Sequence, residues 1–176
     1  MSFIMTAMQP QRVRGLIIND ICPEIDPRGL ERIKRYVGES ARMSTWDEAI
    51  AQARAINEIA FPDFTDAEWE EFARGLYRED HGVPVLAYDL AISQPINDAA
   101  SGAVPPDLWP LFEAITATPM LVIRGEISDI LAPASVITMR EKKPDLEFVE
   151  VPNRGHAPTL NEPVARCAID SFLSAL

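Results

Sequence analysis

Two stretches of the chain, Leu16-Ile17-Ile18 and Met120-Leu121-Val122-Ile123, are apolar without interruption. A strand with one wet face alternates apolar and polar residues, whereas a strand covered on both faces need not. Both stretches therefore predict buried strands of a parallel sheet, within Val13–Asp20 and Pro119–Gly125. Leu146-Glu147-Phe148-Val149-Glu150-Val151 predicts a third and last strand.

The remaining apolar positions follow helical spacing. Met1–Met8 is apolar, carries neither an N-cap nor a charged first turn, and reads as the end of a helix stopped at Pro10 and Gln11. After a turn-rich connector from Ile21 to Pro27, Leu30, Ile33 and Val37 share one helical face. Ser44 or Thr45 offers an N-cap for an alanine-rich helix reaching Asn57, with Asp47 and Glu48 in its first turn. Thr65-Asp66-Ala67-Glu68 resembles a capping box and opens a helix through Trp69, Phe72 and Leu76. Asp107–Ile115 predicts another, after a loose Pro- and Gly-containing stretch from Ser93 to Pro106. Ala134–Lys143 predicts a helix ended by Pro144. Glu162–Leu176 predicts the last, with Val164, Cys167, Ala168, Phe172 and Leu173 on its apolar side. The chain thus divides into 1–22 (a helix end and a core strand), 23–117 (an all-helical insertion) and 118–176 (core strands and helices). Strand, helix, strand, helix in the last part is a right-handed βαβ pattern, which places functional loops at the carboxyl ends of the strands.

At 176 residues the chain can bury a real core. Its formal charge of −11 disfavours nucleic acid and anionic membrane as partners, since both would repel it. Cys22 and Cys167 have no metal-ligand spacing, so no metal, cofactor or disulfide framework is expected. No run approaches membrane-spanning length and no leader opens the sequence, which makes the cytoplasm the expected compartment. The expected partner is a small-molecule substrate. Self-association through an uncovered Leu16–Ile18 edge is a further expectation.

One histidine changes this picture. His156 is one of two histidines and sits in Asn153-Arg154-Gly155-His156, just past the third strand. Imidazole titrates near neutrality, and a strand end holds it on a rigid support, which suits a general base. Asp129 lies just past the end of the preceding strand, so the two loops would be neighbours on one rim. A carboxylate beside imidazole fixes its tautomer and stabilises the imidazolium. On the residues alone, a catalytic pair and an ion pair that ties two loops together both remain open.

Leu121–Leu131 and Val151–Leu160 resemble the acid and histidine loops of the α/β-hydrolase family, and Arg12–Ile21 resembles its sixth strand. The resemblance covers essentially the whole chain. It implies the C-terminal part of an α/β-hydrolase: parallel strands with crossover helices, and 23–117 as an inserted helical cap. It also implies hydrolysis of a small ester, lactone or related carbonyl compound, with His156 as triad base and Asp129 as triad acid. The family's Gly-X-Ser-X-Gly elbow is absent, because no serine here has glycine two residues away on both sides. The nucleophile is expected upstream of Met1, which leaves the chain inactive alone. The alternative is a non-catalytic truncated remnant or a binding and interaction module.

Other residues take blander expectations. Asp20, ending the first strand, could serve as an alternative acid, but a turn or N-cap role is preferred. His81 is expected in a polar loop. Trp46, Trp69, Trp109, Phe61, Phe64 and Phe72 could line a pocket, but at helical spacing they are expected to form core. Glu126 is expected at the surface or supporting the acid loop.

Overall fold

The computed structural model describes residues 1–24, 27–34, 43–89, 91, 94 and 107–176. It divides into two compact units, Met1–Leu30 with Pro105–Leu176, and Glu31–Val104. In chain order the elements begin with α1 (Ser2–Met8), β1 (Leu16–Asn19), α2 (Pro27–Lys34), α3 (Trp46–Asn57) and α4 (Asp66–Leu76). They continue with β2 (Tyr77–Asp80), β3 (Val83–Leu86), α5 (Trp109–Glu113), β4 (Met120–Gly125), α6 (Pro133–Lys142), β5 (Glu147–Val151) and α7 (Pro163–Ser174).

The first unit is built on a parallel sheet in the order β1-β4-β5. Leu16 pairs with Met120 and Asn19 with Ile123, while Leu121 pairs with Glu147 and Gly125 with Val151. All six residues of β4 are buried, as its uninterrupted apolar run requires of a central strand. Successive side chains take opposite faces. Leu16, Ile18, Met120, Val122 and Phe148 pack with Phe3 of α1, Phe112 of α5, and Val136 and Met139 of α6. Ile17, Leu121, Ile123, Val149 and Val151 pack on the other face against α7. Among the described residues β1 pairs on one side only.

The buried stripe of α7 differs from the expected one. Ala165, Ala168, Ile169 and Phe172 face the sheet, whereas Cys167 is exposed and Val164 and Leu173 are 38% and 54% exposed. Helical spacing through 165, 168, 169 and 172 places 164, 167 and 173 off the stripe.

In the second unit α3 and α4 pack through Ala49, Ala53 and Ala73, each fully buried. Thr45 caps α3 by accepting the Glu48 N–H, and Thr65 with Glu68 closes a capping box on α4. Phe61 and Trp69 are buried, and Phe64 and Phe72 pack against them, so these aromatics form core. Trp46 packs on the α3–α4 core, and Trp109 packs edge-on to Phe112 in the first unit. Arg35–Val37 and most of Ser93–Pro106 lie outside the described residues.

The all-helical expectation for 23–117 is corrected by the β2–β3 hairpin, in which Asp80 pairs with Val83 across a two-residue turn. His81 and Gly82 both have positive φ, at 51° and 81°, the conformation that matches the twist of a tight hairpin. An added Cβ on Gly82 would meet nothing within 4 Å, so its conformation alone asks for glycine. Gly82→Ala should therefore cost about 1–2 kcal/mol in urea unfolding, from backbone strain alone. His81→Asn should be neutral or slightly stabilising, since asparagine tolerates the same φ.

Candidate acid–base site

The site lies at the carboxyl rim of the parallel sheet. Asp20 follows β1 directly, with a left-handed φ of 55°, a backbone state in which aspartate is among the few tolerated side chains. Its N–H continues the ladder to the Ile123 carbonyl at 2.7 Å. Its carboxylate is fully buried and is met by donors. The Gly125 N–H reaches Oδ1 at 2.8 Å, and the Ser128 hydroxyl reaches Oδ2 at 2.6 Å.

His156 completes the set, with Nδ1 2.9 Å from Asp20 Oδ2 and 3.0 Å from the Asp20 carbonyl oxygen. Both neighbours are acceptors, so Nδ1 carries the proton and the neutral ring keeps Nε2 bare. The His156 side chain is 24% exposed while Asp20 is fully buried. A buried acceptor at Nδ1 and a partly exposed ring form an arrangement that can take a proton and stabilise the resulting charge.

Asp20 is thus the carboxylate at Nδ1, where Asp129 was expected. The reason lies in how the histidine loop crosses the sheet. An added Cβ on Gly125 would lie 2.3 Å from the Arg154 carbonyl oxygen and 2.6 Å from that of Gly155. Only a residue without a side chain lets the 154–155 backbone pass so close over the end of β4. The loop then reaches β1, where Asn19 donates to the Pro158 carbonyl at 3.0 Å and His156 meets Asp20. Asp129 sits half-buried in the loop after β4.

Three further groups hold these loops: Arg124 and the Arg154–Glu162 pair, which no sequence signal marks, and Glu126, which was expected at the surface or supporting the acid loop. Arg124, buried in β4, donates to the carbonyls of Leu131 and Glu126 and pairs with Glu150 at 2.6 Å. Arg154 pairs with Glu162 at 3.1 Å, with both side chains largely buried, and Thr159 donates to the same carboxylate oxygen. Glu126 accepts the Asn153 N–H at 2.9 Å, while the Ile127 N–H donates to the Arg154 carbonyl at 3.0 Å. Glu126 therefore stitches the two loops together. His81 lies on the hairpin turn with its side chain 98% exposed.

No family model matches the chain. It is 34% identical over 169 residues to the 3-hydroxybutyrate-oligomer hydrolase of Cupriavidus necator, covering 92% of this chain and 57% of that protein. It is 27% identical to the 2-(acetamidomethylene)succinate hydrolase of Mesorhizobium japonicum, over 96% and 58% of the two chains. The crystal structure of an α/β hydrolase from Novosphingobium aromaticivorans superposes with a TM-score of 0.89 at 36% identity, over 99% of this chain and 61% of that one. The chain belongs to the α/β-hydrolase fold family. It spans less than two thirds of the length of each of these relatives. Among the described residues no helix is long and apolar enough to cross a membrane, and no group of three or more metal-ligating side chains occurs.

Gly125→Ala should be destabilised by about 1–3 kcal/mol, as for other overpacked sites, and should lose the His156–Asp20 hydrogen bond. Denaturant unfolding with a histidine ring spectrum checks both. Cys22 is 2% exposed and burial pushes its thiol above the ordinary range, whereas Cys167 is exposed. A disulfide reagent at neutral pH should therefore label Cys167 in the native chain and reach Cys22 only on unfolding.

Proposed function

We propose that this chain supplies the base and acid of a hydrolase acting on a small ester, lactone or related carbonyl compound. The observation that carries the reading is the 2.9 Å contact between His156 Nδ1 and a fully buried Asp20 carboxylate. Nε2 of His156 would take the proton of an attacking hydroxyl and return it to the leaving group. Asp20 would hold the tautomer and stabilise the imidazolium. The relatives support the substrate class, being named for a hydroxy-acid oligomer and an acetamido-substituted succinate.

The nucleophile is proposed to lie outside these 176 residues, which contain no Gly-X-Ser-X-Gly. The isolated chain should then leave activated acyl esters unhydrolysed, while the product of the whole reading frame that contains it turns them over. In that product Asp20→Asn should lower kcat by about 10³–10⁴, the scale of removing a triad acid that sets the tautomer. Asp129→Asn should change kcat by less than about tenfold, or 1.4 kcal/mol in barrier. The reverse ranking would move the acid role to Asp129. No turnover by either form would favour a binding or interaction module.

A further inference from the structure

Ser128 contains the one hydroxyl in contact with the Asp20 carboxylate among the described residues, and its geometry leaves that hydroxyl a single use. A serine hydroxyl has one hydrogen to give and two lone pairs to receive with. The N–H groups of Ile130 and Leu131 donate to Ser128 Oγ at 3.2 and 3.1 Å, occupying both acceptor positions. The hydrogen is left to Asp20 Oδ2 at 2.6 Å, the same oxygen that receives His156 Nδ1.

We propose that Ser128 is a positioning residue, whose hydroxyl fixes the Asp20 carboxylate so that Oδ2 faces the His156 ring and locks its tautomer. The proposal rests on the acid–base reading of Asp20 and His156. Gly125 restrains the other carboxylate oxygen through its N–H, and two fixed oxygens define the carboxylate plane. Without the Ser128 hydroxyl, the Gly125 N–H would be the one donor apart from the His156 ring itself, and carboxylate and ring could turn together. The Ile130 and Leu131 N–H groups tie the same hydroxyl to the backbone after β4, so the loop's conformation is transmitted to the acid. This role needs no nucleophile, so it can be read in the 176-residue chain itself.

The test uses chain labelled with ¹⁵N only at histidine. Two ring systems result, and the exposed His81 serves as the internal reference. In the unsubstituted chain at a pH where both rings are neutral, His156 should show a single Nδ1–H tautomer with a slowly exchanging proton, and His81 a tautomer mixture. Ser128→Ala should lose that single-tautomer pattern and speed Nδ1–H exchange about tenfold or more, the scale of one hydrogen bond to a charged group. Ser128→Thr, which keeps the hydroxyl, should restore both. Backbone amide spectra establish that each variant is folded. If Ser128→Ala does not fold, Ser128→Cys, with a weak donor in a similar shape, takes its place. An unchanged His156 signal in the folded Ala or Cys variant overturns the Ser128 assignment. A tautomer mixture in the unsubstituted chain, or a pattern indifferent to Asp20→Asn, overturns the acid–base reading instead.

Discussion

The close passage of the 154–155 backbone over Gly125 is the constraint on which the rest of the rim depends. Because β4 ends without a side chain, the loop after β5 can cross it and arrive at β1. Three contacts converge as a result: Asn19 with the Pro158 carbonyl, His156 with Asp20, and Gly125 N–H with the same carboxylate. One missing Cβ thus joins strands that the sheet order keeps apart. The contribution is local in sequence and long-range in consequence.

The carboxylate at the meeting point is fully buried, and a buried charge is costly unless it is paired and hydrogen-bonded. Among the described residues the groups that bond to it are all donors, from two separate segments: Gly125 and Ser128 in the turn that ends β4, and His156 in the loop after β5. Arg124 and the Arg154–Glu162 pair hold the segments that bring those donors in. The polar network is therefore organised from the loops inward. Its most open member is the His156 side chain, 24% exposed.

Much of the sheet was legible in the sequence because uninterrupted apolar runs such as Met120–Ile123 have few structures that can cover both faces. The Thr65–Glu68 capping box was legible for the same reason, as a local pattern with a local cause. The hairpin was not, because His81-Gly82 lacks the usual asparagine or aspartate and Pro84 weakens the strand signal. His156 was legible from scarcity and placement. The carboxylate at its Nδ1 was not legible, because sequence order makes loops after consecutive strands look adjacent, and nothing in a sequence shows a backbone crossing a glycine. Asp20 reads in the sequence as a turn or N-cap residue; the structure gives it a left-handed backbone and places its carboxylate against the imidazole. No sequence pattern marks Ser128. Its role depends on three hydrogen bonds that no spacing encodes.

The pairing of Asp20 with His156 is tested most directly by a double-mutant cycle in unfolding free energy. Asp20→Asn, His156→Gln and the double variant would be compared by urea denaturation at neutral pH, alongside the matching cycle for Asp129 and His156. A coupling of about 1.5–3 kcal/mol for Asp20 with His156, well above that for Asp129 with His156, is the predicted result. A negligible coupling for Asp20, with a substantial one for Asp129, would contradict it.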